Sequence, residues 1–523
     1  MKSGRMVVQV ECLLGVDLGT SGARAALVDS NGKLIFSTHT DYGYEVPESG
    51  WAEQDVNVYW GNACEVIKRA SAKAVDEGWA VSGVCISGLA PDVIPVDKNG
   101  NPLGPAILWL DRRATEEEQW IKDYLGEDAV FSLSGNMVDS YFGLVKAVWL
   151  RRKRPDIYCK AYKLLNVVDY VVYKLTGTYV TDYCHAACMG IAFDLKNRRW
   201  NKDAISVLGL DIDKLPKLRK ADDIAGTVTP EASMNTGLRE GTPIAVGCPD
   251  GIANFISAGL TQRGDSAASL GTSGLMAVLS ESERFVKRML ISPSISSRSM
   301  YYNIAAPAFT GGAYKWIRNN IYCGQAKGAY DVMNEEAAQV APGSEGLVLL
   351  PYLVGERTPV WDSRARGVLF GISDSHTRAT IFRAGLESIA LAFLDNVTRM
   401  RDSGAYIGGT LTVTGGGAKS ALLRQILADA LNMRVNFIGS KVSAEMGGAF
   451  IAGKAIGLFP SYEVARDSVT VIETAEPDPA NTAIYHELYT QIYSLLYPSL
   501  KDLFEAADSL RSKLCNQSSS PTS

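Results

Sequence analysis

The sequence lacks the features that mark membrane-spanning, disulfide-rich and nucleic-acid-binding proteins. No apolar run approaches the roughly 18 residues that a membrane-spanning helix needs, and residues 1–10 carry no apolar core of signal-peptide length. The 9 cysteines are odd in number and scattered, which indicates reduced thiols. A net charge of −5 disfavours nucleic acid or an anionic membrane as the main partner. We therefore expect a cytoplasmic protein whose partners include neither membranes nor nucleic acids.

What remains is the composition of a large globular protein. The chain has 523 residues, of which 46% are hydrophobic and 21% charged. A single hydrophobic core usually serves no more than roughly 250–300 residues, so two large domains are expected. Strand patterns at 12–16, 23–28 and 33–38, a helical pattern at 56–75 and a strand pattern at 81–87 predict an α/β fold.

One short motif occurs twice, almost half the chain apart. Val16-Asp17-Leu18-Gly19-Thr20-Ser21-Gly22 and Ala268-Ser269-Leu270-Gly271-Thr272-Ser273-Gly274 share Leu-Gly-Thr-Ser-Gly between two strand patterns. We predict two domains of like topology, at residues 1–258 and 259–510, and a disordered polar tail at 511–523.

The two glycine turns are candidate anion sites. Glycine lets backbone N–H groups approach an anion closely, and the neighbouring hydroxyls can donate as well. Asp17 ends its strand, where a carboxylate could hold a divalent metal through water. The alternative is that both turns are tight hairpins and that Asp17 caps one of them.

Two further glycine clusters precede helical patterns. Thr414-Gly415-Gly416-Gly417-Ala418-Lys419-Ser420 lies between a strand and a helix, an arrangement that binds anions through free N–H groups and the helix dipole. The spacing matches neither a P-loop nor a G-x-G-x-x-G dinucleotide motif. Thr310-Gly311-Gly312-Ala313 opens another helix. Either cluster could instead be a glycine-rich helix start or a plain cap.

Two polar groups are candidates for acid–base chemistry and ligand recognition. Asp250 follows a strand at 243–246 and begins a helix, which would orient it as a general base; the alternative is an N-cap. Trp109-Leu110-Asp111-Arg112-Arg113 offers donors, an acceptor and an apolar face, which suits a polyhydroxylated ligand. Its alternative is a surface helix start with salt bridges.

Together these motifs resemble the FGGY family of carbohydrate kinases, within the sugar kinase, actin and Hsp70 superfamily. The resemblance runs from about Leu13 to about Leu458, in the family's order. It rests on these segments: Asp17 to Ser21, Gly50 to Asp55, Trp109 to Arg113, Ser269 to Ser273, Gly355-Glu356-Arg357-Thr358-Pro359, Arg383 to Ser388, and Gly415 to Ser420.

The resemblance implies an architecture and a reaction. It implies two ribonuclease-H-like (actin-like ATPase) domains that flank a deep cleft and rotate upon sugar binding, with a hinge near 250–260. ATP would lie mainly on the second domain and a small sugar or polyol mainly on the first. Mg²⁺ would accompany ATP, and a homo-oligomer, most simply a dimer, is expected.

The resemblance also implies residue roles. Asp250 looks like the catalytic base, and Asp17 looks like the Mg²⁺-associated aspartate. The residues expected to bind phosphate or the adenine nucleotide are Thr20, Ser21, Gly271, Thr272, Ser273, Gly312, Gly416, Gly417 and Ala418. Those expected in the sugar pocket, beside Asp250, are Trp109, Asp111, Arg113 and Leu89.

The middle of the chain resembles the xylulokinase-like branch, through Ser134-Gly135-Asn136, Lys146–Leu150 and residues 175–182. Xylulose kinases usually carry Gln-Met-His-Gly where this chain has Leu89-Ala90-Pro91-Asp92. Leucine and proline cannot supply the missing side-chain hydrogen bonds, although Asp92 is a candidate substitute.

This difference from the xylulose kinases leaves open which sugar or polyol accepts the phosphate. D-xylulose is the first expectation, and ribulose, gluconate, glycerol, erythritol and the inositols are alternatives. A non-catalytic nucleotide switch like actin or Hsp70 is the alternative of another class. Asp250 and the segment from Trp109 to Arg113 favour the kinase, because a switch needs no sugar pocket.

Overall fold

The computed structural model describes residues 10–271, 274–308, 311–322, 328–439 and 442–518. The chain divides into two compact units, each assembled from three stretches of sequence. The first unit consists of Met1–Gln262, Ile291–Tyr302 and Lys441–Val469, and the second consists of Arg263–Leu290, Asn303–Ser440 and Thr470–Ser523.

The strands, in chain order, are β1 (Val10–Leu18), β2 (Gly22–Asp29), β3 (Leu34–Asp41), β4 (Glu53–Gln54), β5 (Trp79–Gly88), β6 (Ile94–Val96), β7 (Ala106–Ile107), β8 (Lys163–Leu165), β9 (Val180–Asp182), β10 (Phe193–Asp194), β11 (Arg199–Trp200), β12 (Lys217–Arg219), β13 (Ile224–Thr227), β14 (Pro243–Ala245), β15 (Cys248–Pro249), β16 (Ser266–Leu270), β17 (Gly274–Ser280), β18 (Leu290–Pro293), β19 (Tyr301–Ala305), β20 (Val348–Leu350), β21 (Val368–Phe370), β22 (Thr410–Thr414), β23 (Arg434–Ile438) and β24 (Val471–Ala475).

The α-helices are α1 (Val56–Asp76), α2 (Thr115–Leu125), α3 (Glu127–Ser134), α4 (Gly143–Lys153), α5 (Pro155–Lys160), α6 (Val167–Thr176), α7 (Tyr183–Met189), α8 (Lys202–Val207), α9 (Pro230–Thr236), α10 (Asp250–Ser257), α11 (Gly311–Asn320), α12 (Ala329–Ala338), α13 (Arg378–Asp402), α14 (Ala421–Leu431), α15 (Ala444–Ala455), α16 (Glu463–Asp467), α17 (Pro479–Leu488) and α18 (Ser494–Ser518).

The sheet of the first unit is mixed and has the strand order β13-β14-β5-β1-β2-β3, with β15 also paired to β5. β1 pairs antiparallel with β2, which places Leu14 opposite Leu27, and parallel with β5, which places Leu14 opposite Val84. These strands are almost wholly buried, because helices cover the sheet. The long helix α1 buries Tyr59, Ala63 and other residues at helical spacing in the same apolar core.

The sheet of the second unit repeats this arrangement in its strands β17-β16-β22-β23-β24. β16 pairs antiparallel with β17, with Ala268 opposite Met276, and parallel with β22, with Ala268 opposite Val413. Each glycine turn therefore connects an antiparallel hairpin whose first strand has a parallel neighbour. The predicted α/β fold of two domains with like topology is confirmed.

The structure differs from the simple two-part division at 258. The stretch 441–469 returns to the first unit because α15 packs directly on β1: a Cβ atom on Gly15 would lie 1.8 Å from the Glu445 carbonyl oxygen. The helix α18 extends to Ser518, beyond residue 510, where the sequence placed the start of a polar tail.

In the part of the chain that the structure describes, no helix has both the length and the apolar character required to cross a membrane. The seven cysteines whose side chains the structure describes carry free thiols.

Candidate functional site

The first glycine turn joins β1 to β2 and is fixed by hydrogen bonds. The Gly19 amide donates to the Gly22 carbonyl oxygen at 2.9 Å, and the Tyr42 hydroxyl donates to the Gly19 carbonyl oxygen at 2.8 Å. The indole N–H of Trp109 donates to the Thr20 hydroxyl oxygen at 3.1 Å. The turn is thus a fixed backbone with one hydroxyl held by a neighbouring side chain.

Asp17 ends β1 directly before this turn and is only 3% exposed. The Ser87 hydroxyl donates to its Oδ1 at 3.3 Å, and a guanidinium nitrogen of Arg24 lies 3.6 Å from its Oδ2. Burial raises the pKa of Asp17 well above its usual range, and the nearby carboxylates of Asp250 and Glu445 raise it further, whereas Arg24 opposes the rise. Additional positive charge at this point would favour the ionised carboxylate.

Asp250 is the first residue of α10, and Pro249 occupies the N-cap position. The Gly251 amide donates to Asp250 Oδ1 at 2.5 Å. Burial raises the pKa of Asp250 to about 6, against the opposing effects of this amide, His185 and Arg24. Because a general base works best with a pKa near the operating pH, this carboxylate is suited to accept a proton.

Asp17 and Asp250 open onto one polar cavity of about 480 Å³ within the first unit. The cavity also brings in the predicted turn residues Thr20 and Ser21. Its lining comprises Asp17, Gly19, Thr20, Ser21, Gly22, Arg24, Asp250, Asn254, Val442, Ser443, Ala444 and Glu445.

Four charged or polar lining residues were missed by the sequence reasoning: Arg24, Asn254, Ser443 and Glu445. Arg24 lies on β2 and Asn254 lies one helical turn after Asp250, so local spacing could have suggested both. Glu445 comes from α15, far along the chain. The sequence signal for Glu445 is the run of small residues that follows it. These residues allow close packing of α15, since a Cβ atom on Gly447 would lie 1.9 Å from the Ala253 carbonyl oxygen.

Within the segment from Trp109 to Arg113, different side chains contact different parts of the first unit. Trp109 reaches the glycine turn, whereas Asp111 is wholly buried and accepts from the Ala52 amide at 2.6 Å and from Arg113 at 2.7 Å. The Arg113 guanidinium also lies 3.6 Å from the ring centre of Trp51. The structure therefore commits the side chains of Asp111 and Arg113 to internal contacts.

Leu89 and Asp92 are not among the residues that line the cavity. Leu89 is 1% exposed within the apolar core, and its amide donates to the Leu18 carbonyl oxygen at 2.9 Å. Asp92 is buried and accepts from the Val167 amide at 2.7 Å. Burial raises the pKa of Asp92 well above its usual range.

A second cavity, of about 580 Å³, lies within the second unit. It combines the end of β16, the starts of α11 and α14, and several aromatic side chains. Its lining comprises Leu270, Gly271, Gly311, Tyr314, Tyr330, Asp331, Asn334, Phe382, Gly416, Gly417, Lys419 and Ser420.

The glycine loop of this cavity needs glycine for a steric reason. Gly415 has a positive φ of 93°, and a Cβ atom there would lie 2.9 Å from the Leu270 carbonyl oxygen. Ser420 caps α14 by accepting from the Leu423 amide at 3.2 Å and donates to Asn334 Oδ1 at 2.6 Å. Aromatic faces beside two helix starts suit a ligand with a flat ring and an anionic group.

The predicted nucleotide residues fall into three groups. Gly271, Gly416 and Gly417 line the cavity. Gly312 and Ala418 are buried beside it and are absent from its lining. Thr272 and Ser273 lie outside the described residues.

Metal binding by protein side chains alone finds no support in the described ranges. Within them, no three histidine, cysteine, aspartate or glutamate side chains are grouped closely enough to hold an ion.

Comparisons with known proteins agree with this geometry. Residues 12–257 match the model of the FGGY family of carbohydrate kinases, N-terminal domain, and residues 266–456 match that of the C-terminal domain. A xylulose kinase of Staphylococcus epidermidis is 30% identical over 497 residues, which cover 94% of this chain and 98% of that protein. A gluconokinase of Bacillus subtilis is 27% identical over 466 residues, which cover 87% of this chain and 90% of that protein.

A solved structure, that of xylulose kinase from Rhodospirillum rubrum, superposes with a TM-score of 0.89 at 29% identity, covering 94% of this chain and 100% of that one. Family models and a full-length relative thus agree with the repeated sheets and glycine turns. The chain belongs to the FGGY family of carbohydrate kinases.

Proposed function

We propose that this sugar kinase transfers the γ-phosphoryl group of ATP to a hydroxyl of a small sugar or polyol, with D-xylulose the first candidate and Asp250 the general base. The observation that carries the proposal is the carboxylate of Asp250, with a pKa of about 6, on a polar cavity shared with Asp17 and the first glycine turn. In this reaction the acceptor oxygen forms a bond to phosphorus, and the bond between phosphorus and the ADP oxygen breaks. The proton of the acceptor hydroxyl passes to Asp250 and then to solvent.

The chain supplies positioning and charge rather than covalent chemistry, as phosphoryl transfer requires. We assign the backbone of the first glycine turn, with Thr20 and Ser21, to the transferring phosphate. Arg24 adds a positive charge beside Asp17 and helps to keep that carboxylate ionised. Trp109 reaches the same turn and would offer its ring face to the apolar side of a sugar.

ATP would bind in the cavity of the second unit. Tyr314, Tyr330 and Phe382 provide aromatic surface for the base, and Gly416 and Gly417 leave room for it beside the start of α14. We assign the phosphates to the second glycine turn, with Gly271, Thr272 and Ser273. Gly312 and Ala418 would shape the backbone behind the nucleotide.

The donor set of the first cavity fits Mg²⁺. This ion prefers oxygen ligands and commonly takes one or two carboxylates together with substrate phosphates and water. Asp17 is a buried carboxylate whose charged form is disfavoured in the protein alone, and Glu445 Oε2 has no hydrogen-bond partner. Asp17 would hold the ion, with Glu445 nearby. When bound, Mg²⁺ neutralises negative charge on the phosphates.

The acceptor is best identified by a screen for ADP release. Purified protein is assayed with ATP and Mg²⁺ against xylulose, ribulose, gluconate, glycerol, erythritol and inositols. We expect one polyol to raise turnover well above the water background, and D-xylulose first. Leu89 is a core residue and offers no side-chain hydrogen bond to a sugar, so a polyol other than D-xylulose is the alternative acceptor. If no polyol raises turnover while ATP still binds, the proposal is wrong.

A further inference from the structure

The loop with the Gly355-Glu356-Arg357-Thr358-Pro359 motif has no role in the phosphoryl transfer proposed above. It lies in the second unit, and two of its three polar side chains are buried: Glu356 is 5% exposed and Thr358 is 1% exposed. The loop is closed on itself, because the backbones of Glu356 and Asp362 exchange two hydrogen bonds of 2.9 Å each. It therefore presents Glu356 and Thr358 from a fixed base.

Both side chains bind the same short backbone strip, residues 306–308. The Ala306 amide donates to the Thr358 hydroxyl oxygen at 2.5 Å, and the Ala308 amide donates to Glu356 Oε1 at 2.6 Å. The Arg357 amide donates to the same Oε1 at 2.7 Å. These amide donors favour the charged carboxylate, although burial raises the pKa of Glu356 to about 7.

The strip also binds the end of the second glycine turn, because the Gly274 amide donates to the Pro307 carbonyl oxygen at 3.3 Å. Gly271, at the other end of the turn, accepts from the Gly311 amide at 3.0 Å, and both of these residues line the cavity assigned to ATP. Hydrogen bonds thus run from Glu356 and Thr358 through the strip to Gly274.

We propose that Glu356 and Thr358 are positioning residues that act through the 306–308 strip to fix Gly274, the end of the turn assigned to the nucleotide phosphates. The nucleotide part of this inference rests on the proposed function, whereas the hydrogen-bond path does not. A strand end alone leaves the amides of Ala306 and Ala308 unpaired, and buried unpaired amides are costly. Two side-chain acceptors on one loop satisfy both amides and fix the strip between the loop and the turn.

The test compares matched variants. Thr358→Val keeps the shape of the side chain and removes the acceptor, and Glu356→Ala removes the carboxylate. Thr358→Ser and Glu356→Gln each retain an acceptor atom. Asp429→Ala serves as the control, because Asp429 is also buried in the second unit and accepts from the Asp478 amide at 2.8 Å, outside the cavity lining.

In steady-state kinetics, Thr358→Val and Glu356→Ala should raise the KM for ATP about tenfold and lower kcat, as expected when buried amides lose their acceptors. The KM for the sugar should stay within about twofold, and Thr358→Ser and Glu356→Gln should stay near wild type. Asp429→Ala should lower Tm and leave the KM for ATP unchanged. Equal ATP affinity in Thr358→Val and wild type would overturn the inference.

A second measurement does not depend on the reaction. Hydrogen exchange of the Gly274 amide should accelerate about tenfold in Thr358→Val, and much less in Asp429→Ala. Unchanged exchange at this amide would overturn the inference even if the wild-type protein binds ATP. Failure of the wild-type protein to bind ATP would instead overturn the proposed function.

Discussion

The two glycine turns occupy matching places in the two sheets, yet they are built for different chemistry. The first turn follows a buried carboxylate, Asp17, whereas the matching position before the second turn is Ser269. The first turn adjoins a polar cavity with charged groups, and the second adjoins a cavity with aromatic walls. One topology can therefore carry an acid–base site in one unit and a nucleotide site in the other, because the residues around the turns determine the chemistry.

The turns are also held in different ways. Besides backbone hydrogen bonds, two side chains hold the first turn: Tyr42 donates to the Gly19 carbonyl and Trp109 donates to the Thr20 hydroxyl. At the described end of the second turn, the Gly274 amide donates to the backbone of the 306–308 strip. Substitutions near the first turn should therefore affect the sugar step, and those near the second should affect ATP.

The largest effect should come from Asp250→Asn. The amide cannot accept the hydroxyl proton, so we expect kcat to fall about a thousandfold, within the range of general base catalysis. The dissociation constant for ATP, measured by calorimetry, should stay unchanged. Asp211→Asn, at an exposed cap in the same unit, is the matched control. If the variant retains more than a tenth of the wild-type kcat, Asp250 is not the base.

The second-largest effect is expected from a substitution in the cavity of the second unit. Gly416 lines it, and a Cβ atom there meets no atom within 4 Å, so Gly416→Val should fold normally and project into the nucleotide space. We expect the KM for ATP to rise about tenfold to a hundredfold, the range of overpacking costs. Gly409→Val is the control, since Gly409 is also free of neighbours. A raised KM for the sugar alone would contradict the division of labour between the cavities.

The pH dependence of kcat should show the raised pKa of Asp250. The residue acts only when deprotonated, and its pKa in the folded protein is about 6. Activity should therefore fall as the pH drops through 6, by about tenfold between pH 7 and pH 5. Arg24 lowers this pKa, so Arg24→Gln should move the acid limb to higher pH.

Arg69→Gln, which removes an exposed guanidinium paired with Glu65, is the control for this shift. A wild-type acid limb near pH 4 would show that burial does not raise the pKa of Asp250.

Local patterns predicted much of this comparison. A strand, a glycine turn and a second strand are neighbours in sequence, so both hairpins and the helix that begins at Asp250 could be read directly. Asp17, Thr20 and Ser21 then meet Asp250 in one cavity.

The other features of the two sites depend on tertiary packing between distant segments, which local sequence patterns do not reveal. The contribution of Glu445 depends on the close approach of α15 to β1. The stacking of Arg113 on Trp51 directs a residue expected in the sugar pocket into the interior. Similarly, Glu356 and Thr358 bind a strip some fifty residues earlier in the chain.

The smallest effect concerns the way the first turn is held. Trp109→Phe keeps an aromatic ring and removes the N–H that donates to Thr20. A neutral hydrogen bond contributes about 0.5–1.5 kcal/mol, so kcat/KM for the sugar should fall about threefold, with the KM for ATP unchanged. Trp120→Phe, at a ring stacked on Tyr124 in the same unit, is the control. A loss of a hundredfold would mean that the indole N–H binds the sugar rather than the turn, and an unchanged kcat/KM would mean that the turn is held without this hydrogen bond. A small loss confined to the sugar, set beside the ATP-specific loss expected for Thr358→Val, would show that each turn serves its own ligand.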